Sequence, residues 1–350
     1  MKNFDYFIGI DVSKDNFVVS IKSKSFLKSN LSFSMDKYGF QDFLSKTSHI
    51  KDYSLCACEP TGIYHTNLLN FLKEKGYNVC MVNPYKLKQF FKFVSNKPTK
   101  TDKIDSKIIA QFIQTNSQDL NPTNHSDKEK ENFRYLVREK QTITKQIAQI
   151  KSEIKQLLYL LFPEIVRQGN IFSSGIISIL KLFPSASSIR NIKKEEFVSI
   201  CQKNLPKTGK KPNLELIYEL ACQSIAYSYP HFEDILKLKI QLLQFLENQK
   251  SYINQIIQDI AEKIYKRQIQ ILTSIPGIAK NSAIYFMSEI MDIKRFKNEK
   301  KLIGYCGIDP IIKQSGKYKE SVKISKRGNS HVRRISFIMA ECGRKHCPEF

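Results

Sequence analysis

No apolar run in the sequence approaches the ~20 residues that a transmembrane helix needs. Met1–Tyr6 opens directly into a strand-like segment, without the pattern of a secretory signal peptide. Both absences argue against a membrane protein, and we expect the chain to act in the cytoplasm.

Paired cysteines are also absent. The eight cysteines are scattered, and none belongs to a CxxC pair. Cys56 and Cys58 alternate along a predicted strand, whereas Cys342 and Cys347 lie near His346 without a second pair of ligands. This usage predicts reduced thiols and argues against a zinc site.

Acidic residues are few relative to basic ones. The 350-residue chain holds 56 lysines and arginines but 33 acidic residues, for a formal net charge of +23. Such a chain attracts polyanions, so nucleic acid is the leading class of partner. The length is sufficient for two domains and a sizeable core.

Strand-like and helix-like segments alternate in the first hundred residues. Residues 4–22 read as an apolar strand ending at Asp11, a polar turn and a second β-rich run. Further strands are predicted at 30–34, 53–64 and 77–82, and helices at 37–46 and about 64–75. Pro60 stops one strand at Glu59. The alternation predicts an α/β layer on a central sheet.

Helical periodicity takes over after a polar linker beyond Gln114. The first long helix carries an a/d seam of about three heptads, formed by Ile143, Ile147, Ile150, Ile154, Leu157 and Leu161. A second long helix over roughly 232–266 carries one apolar stripe, formed by Ile235, Leu238, Leu242 and Phe245. The two helices could pair antiparallel within one chain or dimerise between chains, and the sequence does not choose.

A Pro-Gly turn between two helices begins the last part of the chain, near residue 271. In DNA-binding proteins such a turn directs the amides of the second helix at phosphate, although it is also common in plain helix packing. The following stretch, 307–334, is rich in lysine and arginine. It fits a solvated basic face as well as a nucleic-acid surface, but a Ser-Gly pair inside it disfavours a plain face.

Four carboxylates fall at edges of the predicted α/β layer. Asp11 and Glu59 end strands, and Asp102 and Asp105 open a helix with i,i+3 spacing that puts both on one face. Converging carboxylates suit Mg²⁺, and two ions about 4 Å apart can clamp the oxygens of a phosphodiester. Taken singly, each fits a turn, an N-cap or an N3 capping partner. The joint order favours the metal site of a ribonuclease-H-like nuclease.

Six ordered blocks carry a resemblance to a known family. They are IGIDVSKDNF, EPTGIY, VNPYKLKQF, KTDKIDSKIIA, SIPGI and LIGYCGIDPIIKQSGK...ISKRGNSHVRR. In this order they closely resemble the DEDD-type transposases of bacterial insertion sequences, a family that includes Piv-type DNA invertases and is known for recombination guided by a bridge RNA. The resemblance covers nearly the whole chain.

The resemblance implies a three-part fold. It implies an α/β N-terminal RuvC-like (ribonuclease-H-like) domain at 1–125, a long α-helical coiled-coil insertion at 126–268, and a mainly α C-terminal transposase domain at 269–350. It further implies that an acidic tetrad binds Mg²⁺ and is catalytic, with the members Asp11, Glu59, Asp102 and Asp105.

A nucleophilic serine is also implied, in a Ser-Gly element shortly after a Gly-x-x-Pro motif. Here that motif is Gly307–Pro310, and Ser315 is the candidate. Many relatives have two serines and two glycines where this chain keeps one of each, and a Ser-Gly pair in a lysine-rich loop can also be a plain turn. Ser321 and Ser325 are lesser candidates. Relatives normally continue past Phe350, so we expect a truncated or frameshifted copy of uncertain activity.

The implied activity is cleavage and rejoining of DNA, with a covalent phosphoserine intermediate. Expected partners are DNA, a guide RNA and further copies of the chain, which could build a composite site between protomers beside the nucleoid. Residues expected to hold nucleic acid are Lys100, Lys103, Lys107, Lys280, Lys317, Lys326, Arg327, Arg333 and Arg334. Two alternatives stay open: a structure-selective nuclease that uses metal-activated water, and a decayed transposase that only binds nucleic acid.

Overall fold

The computed structural model describes residues 4–59, 64–94, 102–118, 120, 128–209, 211–311, 314–315, 318–319 and 323–347, with side chains not described at 29, 102–104, 128, 314–315 and 318–319. The chain forms two compact units. The first unit comprises Met1–Lys128 and Gly307–Gly328, and the second comprises Glu129–Cys306 and Asn329–Phe350.

A five-stranded mixed sheet in the order β3-β2-β1-β4-β5 forms the centre of the first unit. Its strands are β1 (Tyr6–Val12), β2 (Asn16–Lys22), β3 (Leu27–Ser34), β4 (Ser54–Cys58) and β5 (Asn78–Met81). β1, β2 and β3 are antiparallel neighbours, whereas β1, β4 and β5 run parallel. All the predicted strands are present, and β1 runs one residue past Asp11.

Helices cover both faces of this sheet. They are α1 (Lys37–Thr47), α2 (His65–Glu74), α3 (Pro84–Val94) and α4 (Asp102–Thr115), and a 3-10 turn spans Ser48–Tyr53. Ile8 and Cys56 pack on one face with residues of α1 and α2, while Phe7 and Leu55 pack on the other with residues of α3 and α4. Because the central strands are covered twice, they read as continuous apolar runs. Helices α1 and α2 were predicted, and α3 was not.

Residues 307–328 add two short strand pairs to the first unit. β6 (Pro310–Ile311) pairs with β9 (Lys323–Ile324), and β7 (Gln314–Ser315) pairs with β8 (Tyr318–Lys319). The Arg327 guanidinium lies over the Tyr85 ring of α3, 5.4 Å from its centroid. The sequence-based division placed this segment in a C-terminal domain with residues from 269 onward, and that division stays a prediction.

The second unit is helical throughout its described part. Its helices are α5 (Lys128–Leu161), α6 (Pro163–Val166), α7 (Ser174–Leu182), α8 (Ala186–Arg190), α9 (Lys194–Asn204), α10 (Leu214–Cys222), α11 (Pro230–Ile264), α12 (Lys266–Thr273), α13 (Lys280–Ile290), α14 (Glu299–Cys306) and α15 (Ser330–His346), with a 3-10 turn at Ile293–Arg295. Within the described residues, no helix is long and apolar enough to cross a membrane.

The two long helices, α5 and α11, pair antiparallel within one chain. Lys140 near the start of α5 donates to Asn254 near the end of α11 at 2.6 Å, and Lys239 bonds Glu153 at 2.6 Å near the other end. The predicted seam on α5 is buried in the shared core at Ile147, Ile150, Ile154 and Leu161.

The stripe predicted on α11 does not take part in this core. Leu236, Ile240 and Leu243 are the α11 residues buried in that core instead. Ile235, Leu238, Leu242 and Phe245 are exposed, by 39% to 64% of their surface. Both sets follow a helical period, so spacing alone could not identify the packed one.

Candidate active site

Two of the predicted carboxylates lie at the carboxyl ends of adjacent parallel strands. Ile10 of β1 is directly opposite Cys58 of β4, so Asp11 and Glu59 follow at neighbouring positions. Since side chains alternate along a strand, both continue the row that contains Phe7 and Leu55, which packs with α3 and α4. Asp11 and Glu59 therefore belong to the same edge and the same face of the sheet.

Helix α4 crosses that face with its first turn at the same edge. A Cβ on Gly9 would lie 2.2 Å from the carbonyl oxygen of Ser106, so the helix rests directly on β1. Ser106 shares a 2.9 Å hydrogen bond with Ser20, and Gln114 donates to the Ser23 carbonyl at 3.3 Å. Ser20 is opposite Gly9, and β2 runs back toward the start of β1. The helix is therefore antiparallel to β1, and its N-terminus is at the carboxyl end of the strand.

Asp105 lies in this first turn and is half-buried. Ile108 and Ile109, three and four residues later, are buried against the sheet, so Asp105 begins the sheet-facing row of α4. The helix begins at Asp102, whose side chain lies outside the described part. The structure thus brings Asp11, Glu59 and the start of α4 to one edge.

The pKa of the Cys58 thiol reflects the closeness of two of these carboxylates. Burial raises the pKa of the Cys58 thiol to about 12, and the negative charges of Cys80, Asp11 and Glu59 act in the same direction, against Lys73. Both carboxylates are therefore near enough to Cys58 to influence it electrostatically.

The donor chemistry at this edge suits a hard divalent cation. Carboxylate oxygens are the ligands that Mg²⁺ prefers. Among the described side chains, no three His, Cys, Asp or Glu residues form a group that could hold a metal. That statement covers Asp11, Glu59 and Asp105 as well as Cys342, His346 and Cys347, but not the side chain of Asp102. All eight cysteines are free thiols.

The candidate serine is at the end of β7, opposite Tyr318 of β8. Its side chain is not described, and Ser321 and Lys317 lie outside the described residues altogether. Ser325 is already engaged, because its hydroxyl donates to the carboxylate of Asp309 and its amide to the Asp309 carbonyl at 2.9 Å. These bonds give Ser325 a structural role in closing the segment.

Predicted nucleic-acid contacts in the first unit are partly visible. Lys107 and Lys326 are exposed, and Arg327 is also exposed while lying over Tyr85. Lys326 has a positive φ of 54°. Lys100 lies outside the described residues, as does the side chain of Lys103.

In the second unit, the predicted contacts differ among themselves. Arg334 is exposed, whereas Arg333 donates to the Cys306 carbonyl at 3.3 Å. Lys280, in the first turn of α13, forms an ion pair with Glu262. Lys280 is therefore partly neutralised, and Arg334 is the more available cation.

A buried ionic network was not predicted. Glu289 on α13 has no exposed surface. It accepts hydrogen bonds from Nε and Nη2 of Arg138, each at 2.7 Å. Asn329 donates to Glu289 at 2.8 Å, and its own oxygen caps α15 by accepting from the His331 amide at 2.9 Å. The Gly-Asn pair before α15 is a recognisable cap signal, but a glutamate within an apolar helical row gives no sign that it is buried.

Two models of known families match the chain. Residues 8–163 match the DEDD transposases of the IS110 family, described as "Transposase", and residues 269–350 match a family described as "Transposase IS116/IS110/IS902 family". Together the matches cover more than half of the chain.

Two curated proteins are similar over parts of their length. One is the "Putative transposase y4qE" of Sinorhizobium fredii, 32% identical over 71 residues, or 20% of this chain and 17% of that protein. The other is the "Insertion element IS110 uncharacterized 43.6 kDa protein" of Streptomyces coelicolor, 20% identical over 244 residues, or 69% of this chain and 60% of that protein. With both family models matched in order, the chain belongs to the IS110 family of DEDD insertion-sequence transposases.

Proposed function

We propose that this protein is a DNA transposase that cleaves and rejoins phosphodiester bonds at the edge formed by β1, β4 and α4. The observation that carries this function is the convergence of Asp11, Glu59 and the first turn of α4, which contains Asp105, on one edge and face of the sheet. Family membership supports the same chemistry.

The acidic residues would hold the divalent ion. Asp11, Glu59, Asp105 and Asp102 supply carboxylate oxygens, which favour Mg²⁺. An ion held by these residues would neutralise charge at the scissile phosphate and favour deprotonation of the attacking hydroxyl. Asp11, Glu59 and Asp105 are each half-buried, and the neighbouring apolar core limits the access of water to them.

Ser315 is the proposed nucleophile. Its oxygen attacks phosphorus, a P–O bond of the DNA strand breaks, and the serine proton leaves to a base while the departing strand oxygen takes up a proton. The product is a phosphoserine linkage and a free strand hydroxyl, and the reverse attack by a strand hydroxyl reseals DNA without ATP. Grouping of 307–328 with the α/β unit supports this role, because the serine segment and the acidic edge share a unit.

Nucleic acid is the proposed partner of the basic surface. Lys107, Lys326, Arg327 and Arg334 are exposed cations suited to phosphate. We further propose that a guide RNA reads the target by base pairing. The chain would self-associate and act beside the nucleoid. The exposed stripe on α11 supports self-association, because it repeats at heptad spacing.

A covalent-adduct assay on a nicked or suicide DNA substrate tests the nucleophile. Wild-type protein should form an adduct with Mg²⁺ present, and Ser315→Ala should form none. Ser325→Ala is the comparison within the same segment. If Ser315→Ala still cleaves and neither protein forms an adduct, the alternative of a nuclease with metal-activated water is correct.

Substitution at the acidic edge tests the metal role. Asp105→Asn should abolish cleavage while DNA binding persists, because it removes a ligand charge from an intact surface. Asp52→Asn, at a carboxylate whose side chain is 78% exposed, is the matched control. Normal cleavage by Asp105→Asn would refute the metal site, and binding without cleavage by the wild type would identify a binding-only protein.

A further inference from the structure

A cavity of about 270 Å³ opens in the second unit between α5, α11, α13 and α15. Its wall is largely apolar, with Val137, Ile257, Ile284, Ile335 and Ile338 among the lining residues. The volume is slightly below the ~300–1,000 Å³ of pockets for drug-sized ligands, so it suits one small, flat, apolar group.

Three cations also line this cavity, and no acidic residue does. They are Lys140 and Lys145 on α5 and Arg334 on α15. The Lys140 ammonium donates to Asn254 at 2.6 Å, which fixes it beside the opening. Burial lowers the pKa of the nearby His331, the charge of Glu289 raises it, and the positive charges of Arg138, Lys145 and Arg334 lower it.

The first turn of α13 completes the polar side of the cavity through Asn281 and Ser282. The residue before this helix, Ala279, provides no side-chain cap, and the first turn contains no acidic residue. An uncapped helix N-terminus offers backbone N–H groups to an anion.

A separate observation points to a missing ligand. The side-chain nitrogen of Gln141, which also lines the cavity, is buried and has no hydrogen-bond partner among the described residues. A buried amide donor without an acceptor is costly, and such groups usually meet water or a ligand. The cavity therefore combines an apolar wall, a positive rim and an unused donor.

We propose that this cavity binds one unpaired nucleotide of a nucleic-acid strand, with the base against the apolar wall and the phosphate at the cationic rim. The base supplies acceptors for Gln141 and a flat face for the neighbouring Tyr285 ring and the Arg334 guanidinium. Unpaired bases are commonly held by aromatic and guanidinium planes in this way. The assignment rests on the proposed function, because it names how one nucleotide of the substrate or guide is held.

Titration calorimetry of the full-length protein with AMP, dAMP and inorganic phosphate tests the site. AMP or dAMP should bind at a single site and more tightly than inorganic phosphate. Preference for AMP assigns the nucleotide to an RNA strand through its 2′-hydroxyl, and equal or better binding of dAMP assigns it to DNA. Phosphate binding as tightly as AMP would overturn the base-binding role.

Two variants localise the binding. Ile338→Trp fills the mouth of the cavity and should weaken nucleotide binding by about tenfold or more, the loss expected when one stacked base is excluded. Phe337→Trp, on the same helix but outside the lining, should have no effect, since its side chain is 67% exposed. Lys145→Gln should weaken binding severalfold, whereas Lys155→Gln, exposed farther along α5, should not.

Thermal melting checks that the variants remain folded, and Lys145→Gln keeps the test decisive if Ile338→Trp does not fold. Unchanged AMP binding in both cavity variants would overturn the site. Binding of a labelled single-stranded oligonucleotide distinguishes failure of the cavity proposal from failure of the proposed nucleic-acid function. Wild type that binds the oligonucleotide but not the mononucleotides refutes only the cavity, whereas failure to bind either refutes the nucleic-acid function itself.

Discussion

Glu289 is a buried carboxylate that connects three helices of the second unit. Burial alone would raise its pKa, but hydrogen bonds from Arg138 and Asn329 and the charge of Arg138 hold the pKa below its usual range. Because Asn329 also caps α15, the network couples a buried charge to the helix that carries Arg333 and Arg334.

Replacing Glu289 with glutamine should destabilise the protein. The substitution leaves the Arg138 charge uncompensated, and we expect the free energy of unfolding to fall by about 3 kcal/mol, at the low end for a buried pair. The reason is that 34% of the Arg138 side chain is exposed. Denaturant unfolding measures the loss. Glu247→Gln, at a surface pair with Lys151, should cost about 0–1 kcal/mol. Equal losses would contradict the role of burial.

The same pair should make stability depend on pH at the acid end. The folded-state pKa of Glu289 is below its ordinary value of 4.5. Its contribution is therefore present above about pH 4.5 and is lost as the pH falls toward the folded-state pKa. The difference in unfolding free energy between wild type and Glu289→Gln should narrow over that range. A constant difference would show that the carboxylate charge is not what stabilises the fold.

At the scale of single residues, the sequence locates polar side chains at strand ends better than it locates buried ion pairs. Asp11 and Glu59 were recognisable because a strand ends near each, and strand ends have a defined chemical meaning in α/β sheets. Glu289 was not recognisable, because its partner Arg138 is 151 residues away and nothing local records the pairing.

The contact of α4 with β1 positions the first turn that carries Asp105. At Gly9, an added Cβ would lie 2.2 Å from the Ser106 carbonyl oxygen and 2.3 Å from the Ala110 amide nitrogen. Both are backbone atoms, so neither can rotate away, and the helix itself would have to move.

Gly9→Ala should therefore reduce both stability and cleavage. We expect a loss of about 1–3 kcal/mol in the free energy of unfolding, as for other overpacked cores. Cleavage should fall further than the unfolded fraction explains, because Asp105 shifts with the helix. Gly304→Ala on α14 is the control, since no atom lies within 4 Å of its added Cβ. Unimpaired cleavage by Gly9→Ala would show that the position of α4 does not matter for cleavage.

The exposed stripe of α11 should mediate self-association. Leu238 and Phe245 are 64% and 57% exposed, and burying such side chains contributes about 1.5–3 kcal/mol each. The double variant Leu238→Lys/Leu242→Lys should shift the protein to a smaller species in light scattering after size exclusion. Gln241→Lys, an exposed position on the same helix, should not. If the wild-type protein is a monomer in this measurement, the stripe does not mediate self-association.

Helix α11 also shows where periodicity fails as a predictor. Two apolar rows run along it, and both satisfy a helical spacing. The packed row is the one that is buried in the same core as the α5 seam, and this depends on how the intervening helices turn the chain. The presence of both long helices and the length of the second were predicted, and the choice of face was not.

The net charge of +23 should govern the affinity of the whole molecule for nucleic acid. If 6–10 phosphates are contacted, raising salt from 50 to 200 mM should weaken binding by about 10³–10⁵-fold. Lys107→Gln should lower the slope of log affinity against log salt by about 1, as expected for one lost phosphate contact. Fluorescence anisotropy across a salt series measures both. A salt-independent affinity would exclude phosphate contacts as the main source of binding.

The division of the chain into units could not be derived from its sequence. The resemblance implied three consecutive domains divided near residues 125 and 269, which stays a prediction, and residues 307–328 group with the α/β unit. The contacts responsible, such as Arg327 over Tyr85, join residues far apart in the sequence. Local patterns do not encode such distant pairings.

The segment 307–328 is closed at its base by paired backbone hydrogen bonds. Asn329 donates to the Tyr305 carbonyl at 2.7 Å, and one step inward Lys326 donates to the Gly307 carbonyl at 3.0 Å. Such a stem holds the two ends of the segment together. Doubling the length of a closed loop costs only about 0.6 kcal/mol. The candidate serine, Ser315, thus lies in a segment that can change in length at little cost in free energy.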